Sequence, residues 1–334
     1  MSNNYRVGVI GGGAWGTALS IIANRAGSIV TFATRNNNVI QSIVERRSND
    51  IYLPSAFLDP DINLTEKIGE VCQNDVLILA VPSHILRSVC ITISDTLPVN
   101  VPIVLASKGI ERGSLMLMSE VAHSILPKNP IAIISGPNFA DEAAKGLPTA
   151  TTIACADTSQ WDTLMYSIGG RLFRPYMTTD IIGTQIGGAV KNVIAIACGI
   201  ALGKNFGENA RAALVTRGFA EIVRLALAKG GKYETLTGLS GLGDLILTCG
   251  SAKSRNLSFG IALGEGKPKE EILMGRGRNA TEGIIATESA SKLARKFNVP
   301  MPITDAVYRI LYENAGIDEV IANLLERPFV HEES

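Results

Sequence analysis

The chain has 334 residues, 46% of them hydrophobic and 19% charged, and 31 Lys and Arg balance 31 Asp and Glu. At roughly 150 residues per domain this length gives two domains or one large one, and the apolar content excludes intrinsic disorder. The balanced charge supplies no basic excess for general contact with a phosphate backbone, so nucleic acid is not an expected partner.

Residues Met1 to Arg6 are polar and lead into a glycine-rich turn, not into the apolar core of a signal peptide. Val193 to Gly203 is about half of the ~20 residues that a spanning helix needs, so no membrane span is expected. The cysteines Cys72, Cys90, Cys155, Cys198 and Cys249 form no CxxC pair, and His84, His123 and His331 are far apart in sequence. Neither a disulfide framework nor a metal site is expected. The cysteines read as core fillers, and the expected location is cytoplasmic.

In chain order, the predicted strands are Arg6–Ile10, Ile29–Ala33, Asp75–Val81, Ile103–Ser107, Ile131–Ser135, Thr151–Ala156 and Leu172–Met177. Several are unbroken apolar runs, as in a parallel sheet covered on both faces, and helical stretches separate them. After Gly183 the period changes. Apolar residues recur at three- and four-residue steps in Ala189–Leu202, Ala210–Lys229, Lys269–Gly275, Thr281–Phe297, Ile303–Tyr312 and Ile317–Leu325. The expected fold is α/β: an N-terminal Rossmann-type doubly wound parallel sheet over 1–185, binding a dinucleotide, and an all-helical substrate and catalytic domain over 186–334.

Gly11-x-Gly13-x-x-Gly16 stands between the first strand and an apolar helix, Thr17–Ala26. In a dinucleotide fold the first glycine makes the tight turn, the second admits a pyrophosphate, and the third seats the helix on the strand. The pyrophosphate then rests on unpaired N–H groups at the helix N-terminus. About twenty residues further on, an acid would bind a free ribose 2′-hydroxyl. Here Thr34-Arg35 follows the second strand and no acid precedes Glu45. Arg35 offers a fork to a 2′-phosphate, so NADP(H) is favoured and NAD(H) is the alternative; a solvated surface arginine is the plain reading.

Ser107-Lys108-Gly109 lies past the carboxyl end of a strand, where open α/β sheets bind ligands. Lys191-Asn192 opens the apolar helix as read from sequence, a poor place for a solvated cation and one opposed by the macrodipole. Beside a second cation such as Lys108, a buried Lys191 gains the lowered pKa of a proton-transferring group; the competing reading is a snorkelling structural lysine. Asp244 and Thr248 share a face if their segment is helical, and Asp244 reads as the partner of a buried lysine or as a helix N-cap, two readings that are compatible. Ser254-Arg255-Asn256 offers a bidentate fork and neutral donors for a phosphate or carboxylate, or else an exposed polar cap.

These blocks, with Ser135-Gly136-Pro137-Asn138-Phe139-Ala140, Val190-Lys191-Asn192-Val193, Thr216-Arg217-Gly218 and Gly241-Leu242-Gly243-Asp244-Leu245, fall in one order along the chain. In that order the sequence resembles bacterial NAD(P)-dependent glycerol-3-phosphate dehydrogenase over essentially its whole length. The resemblance implies reversible reduction of dihydroxyacetone phosphate to sn-glycerol 3-phosphate, which supplies glycerophospholipid synthesis. It implies that Lys191 is the general acid/base, with Lys108, Asp244 and Thr248 as its catalytic companions. It assigns Lys108, Gly136, Asn138, Lys191, Asn192, Asp244, Ser254, Arg255 and Asn256 to substrate. Gly11, Gly13, Ala14, Trp15, Gly16, Arg35, Lys108, Ala140, Arg255, Ala280 and Glu282 fall where the family contacts its dinucleotide.

Two other readings compete: a hydroxyacid or sugar-acid dehydrogenase of the same architecture, and a non-catalytic NADPH-binding sensor. The apolar helical half is compatible with a homodimer.

Overall fold

The computed structural model describes residues 5–276 and 282–328. The chain divides into two compact units, one of residues 1–188 with 230–244, the other of 189–229 with 245–334.

The first unit is built on strands β1 (Arg6–Ile10), β2 (Ile29–Ala33), β5 (Asn63–Thr65), β6 (Val76–Leu79), β7 (Ile103–Leu105), β8 (Ile131–Ser135), β9 (Thr149–Cys155) and β10 (Phe173–Thr178). A two-stranded hairpin, β3 (Ser48–Asn49) with β4 (Leu53–Phe57), stands apart from them. The main sheet runs β10-β9-β8-β7-β6-β1-β2-β5. From β5 to β8 this is the strand order of the doubly wound dinucleotide fold, whose direction of winding reverses between β1 and β6. The apolar runs follow from burial on both faces. Val76 and Ile78 pack with Val7, Val9 and Leu19 on one side. Leu77 and Leu79 pack with Leu105, Leu86 and Val121 on the other.

Two features depart from the sequence reading. Strand β9 pairs antiparallel with β8, while β10 runs parallel to β9. A parallel return usually takes a crossover that carries a full helix; the connection from Ser135 to Thr149 carries only the five-residue helix Ala140–Ala144. The hairpin β3–β4 and the strand β5 were not predicted. They are two to five residues long, and β5 is polar, too short for a period to show.

The second unit is helical, with Gly207–Ala228, Lys269–Arg276, Glu282–Lys296, Pro302–Tyr312 and Ile317–Leu325 close to the predicted segments, and with Arg255–Gly264 as a further helix. The helix expected to open at Ala189 begins at Ile181 and runs to Gly203. Asp180 starts it, accepting from the Gly183 N–H at 2.8 Å. Gly187 reads as punctuation in the sequence, but a Cβ there would lie 2.7 Å from the Ser240 carbonyl oxygen, so the glycine serves packing inside the helix. At 23 residues the helix is long and apolar enough to cross a membrane, against the expectation from Val193–Gly203, yet 83% of its most apolar window is buried in the protein. Within the second unit it meets Arg255–Gly264 backbone to backbone: a Cβ on Gly199 would sit 2.2 Å from the Leu257 carbonyl oxygen. All five cysteines are buried and free.

Candidate functional site

The glycine turn is held as its chemistry requires. Gly11 has φ +133°, and a Cβ on it would lie 2.2 Å from the Ala80 carbonyl oxygen. A Cβ on Gly16 would lie 2.0 Å from the Gly11 carbonyl oxygen, whereas one on Gly13 would meet nothing within 4 Å. The helix Ala14–Arg25 starts on Gly13 with no side-chain cap and no acid in its first turn. Its first N–H groups therefore keep their dipole for an anion, and the residues present fit a dinucleotide pyrophosphate. Trp15 is half-buried in that first turn, and Arg35 is exposed just past the end of β2.

Asn49, which sequence reasoning missed, buttresses this turn. Its side-chain amide donates to the Gly12 carbonyl at 2.9 Å and to Thr17 Oγ1 at 2.8 Å, and the residue is fully buried. A single polar residue in the two-residue first strand of an unrecognised hairpin carries no pattern that would have singled it out.

Lys108 follows β7 in a loop whose Ser107 hydroxyl donates to the Val81 carbonyl. Lys108 Nζ donates to Asp244 Oδ2 at 2.6 Å. The side chains are 21% and 2% exposed, so the carboxylate is nearly desolvated and the ammonium partly so. Asp244 opens the helix Asp244–Gly250 directly after a π-helical turn, Leu239–Gly243. Past β8, the Asn138 amide donates to the Ala150 carbonyl at 2.9 Å, fixing the loop that carries Gly136 and leads into Ala140.

In the second unit Lys191 is only 7% exposed, and its Nζ donates to Thr248 Oγ1 at 2.9 Å. It does not open its helix, as the sequence suggested, but lies about three turns in. The macrodipole therefore plays no part; burial in an apolar helix does. Asn192 beside it is buried. Ser254 caps the helix Arg255–Gly264, its hydroxyl accepting from the Leu257 N–H at 3.2 Å. Asn256 Oδ1 accepts from the Gly283 N–H at 3.1 Å, which ties this helix to the one begun by Glu282. Both engaged atoms are acceptors, and Arg255 between them is exposed. Ala280 lies outside the described residues. Among the described residues no cluster of three or more His, Cys, Asp or Glu forms a metal site. His84 and His123 are both exposed.

Residues 6–161 match the family model of the NAD-dependent glycerol-3-phosphate dehydrogenase N-terminus, and 180–322 that of its C-terminus. The chain is 46% identical over 330 residues to the glycerol-3-phosphate dehydrogenase (NAD(P)+) of Parvibaculum lavamentivorans, covering 98% of this chain and 99% of that protein. It is 47% identical over 332 residues to that of Maricaulis maris, covering 99% of each. The crystal structure of glycerol-3-phosphate dehydrogenase from Coxiella burnetii superposes with a TM-score of 0.92 at 37% identity, covering 97% of this chain and 99% of that one.

Proposed function

This chain belongs to the NAD-dependent glycerol-3-phosphate dehydrogenase family, and from that premise we propose that it reduces dihydroxyacetone phosphate reversibly to sn-glycerol 3-phosphate. The observation that carries the reading is Lys191, an ammonium kept in an apolar helix at 7% exposure and hydrogen-bonded to Thr248. Burial of a cation costs stability unless it is paired and hydrogen-bonded, and ionisable groups held at that cost cluster at functional sites.

The sheet unit, residues 1–185 in the division by sequence, binds the dinucleotide, and the helical part, 186–334, binds substrate. Bound nicotinamide supplies the hydride. Lys191 donates a proton to the substrate C2 oxygen as negative charge develops there, and takes it back in reverse. Lys108 adds positive potential, and Asp244 offsets it. Thr248 orients the Lys191 ammonium. Ser254, Arg255 and Asn256 grip the phosphate and fix the ketone for attack, with Gly136, Asn138 and Asn192 as further substrate contacts. Gly11, Gly13, Ala14, Trp15, Gly16, Arg35, Lys108, Ala140, Arg255, Ala280 and Glu282 contact the cofactor. Arg35 favours NADP(H), with NAD(H) also accepted. The protein works in the cytoplasm as a homodimer, and its product feeds glycerophospholipid synthesis.

Loss of NADPH absorbance on adding dihydroxyacetone phosphate, and none with unphosphorylated dihydroxyacetone, is the expected result. Equal rates with both ketones would refute the phosphate clamp, and silence with both would refute the reaction.

A further inference from the structure

Strand β8 ends in Ser135, whose hydroxyl oxygen is buried and has no hydrogen-bond partner among the described residues. A hydroxyl buried without a partner costs stability. Ser135 lines a cavity of about 10 Å³ with Ser107, Lys108, Thr184, Gln185 and Gly188, the room of a single water. The other polar side chains there are engaged. The Ser107 hydroxyl donates to the Val81 carbonyl, Thr184 Oγ1 donates to the Asp180 carbonyl at 2.8 Å, and the Gln185 amide nitrogen donates to Ser119 Oγ at 2.7 Å.

Gly188 shows what the unengaged hydroxyl faces. A Cβ at 188 would lie 2.8 Å from Ser135 Oγ, 3.5 Å from Lys108 Cδ and 3.8 Å from Lys108 Cε. The Lys108 stem and the Ser135 hydroxyl thus run side by side over a residue with no side chain. The ammonium at the end of that stem has three donors, of which Asp244 Oδ2 takes one.

We propose that Ser135 is a positioning residue for Lys108: its hydroxyl, unpartnered in the resting protein, accepts a hydrogen bond from the Lys108 ammonium through one water once substrate is bound, and Gly188 keeps the space in which they meet. This rests on the reading of Lys108 as part of the reductase site. A hydroxyl that costs the resting protein stability and serves a lysine leaves a specific signature when removed.

The test is a double-mutant cycle on the full chain with NADPH and dihydroxyacetone phosphate. Ser135→Ala is expected to melt at or above the wild-type temperature, to lower kcat about tenfold, the worth of a hydrogen bond to a charged group, and to leave the KM for NADPH unchanged. In a Lys108→Ala background the same substitution is expected to cost nothing further. Wild-type kcat in Ser135→Ala, or an undiminished loss in the Lys108→Ala background, would overturn the proposal while leaving the reading of Lys108 intact. Wild-type turnover by Lys108→Ala alone would instead remove Lys108 from the reaction, and the proposal with it.

Discussion

Lys108 Nζ lies 2.6 Å from Asp244 Oδ2, and 98% of the Asp244 side chain is withdrawn from solvent, since only 2% remains exposed. A carboxylate so desolvated depends on its cation. Asp244→Asn removes the charge and keeps the shape, leaving Lys108 without its counter-ion. Breaking a fully buried pair costs about 3–5 kcal/mol; with Lys108 still 21% exposed the expected loss is about 2 kcal/mol, read from urea unfolding. Turnover is expected to fall with it. A variant with wild-type stability would show that the pair contributes nothing in solution.

Lys191→Ala is expected to lower kcat by about 10²-fold or more, the scale of general acid–base catalysis. Thr248→Val isolates the hydrogen bond that the ammonium makes at 2.9 Å. Losing an acceptor disfavours the charged lysine, so the alkaline limb of the kcat profile is expected to move to lower pH. Near wild-type turnover in Lys191→Ala would take this residue out of the mechanism. An unmoved limb in Thr248→Val would leave the threonine a packing role only.

Arg35 is exposed beyond the end of β2, where a 2′-phosphate would meet a cation and a 2′-hydroxyl would need an acid. Arg35→Asp is expected to weaken NADPH and improve NADH, which steady-state KM values for both cofactors will report. Identical discrimination in the variant and the parent would rule out Arg35 as the selector.

Much of the fold was legible because its rules are local. The strand, glycine turn and helix at the start of the sheet unit are consecutive, so spacing alone reveals them, and Gly11 and Gly16 show the close contacts that the motif requires. What was not legible depends on distant partners. Lys108 and Asp244 are 136 residues apart, and no pattern in either neighbourhood names the other. Asn49 supports the glycine turn from a hairpin too short to carry a period. Gly183, Gly187 and Gly188 look like a helix break, because glycine disfavours helix when nothing packs against it. Their neighbours, seen only in three dimensions, turn them into packing positions and move the helix start back to Ile181. The same error placed Lys191 at a helix end and gave it a dipole argument that the structure removes.

Glu221 gives the helical unit a titration of its own. Its buried carboxylate accepts from the Ile303 N–H at 2.6 Å, the Thr304 N–H at 3.1 Å and Thr304 Oγ1 at 2.8 Å, and so caps the helix Pro302–Tyr312. Those donors favour the charged form, but burial outweighs them and pushes the carboxyl up to about 6 from an ordinary 4.5. A raised folded pKa means that the folded chain holds this proton more tightly than the unfolded one. Its contribution is therefore complete below about pH 4.5 and fades as pH rises through about 6, by about 2 kcal/mol in all. Glu221→Gln does not titrate, although its amide turns a donor toward a backbone N–H and costs stability at every pH. The stability of wild type minus that of Glu221→Gln is thus expected to be larger at pH 4.5 than at pH 7, with other groups cancelling in the difference. Urea unfolding of both proteins across that range measures it, and a difference that stays flat or grows with pH would mean that the cap, not burial, governs this carboxyl.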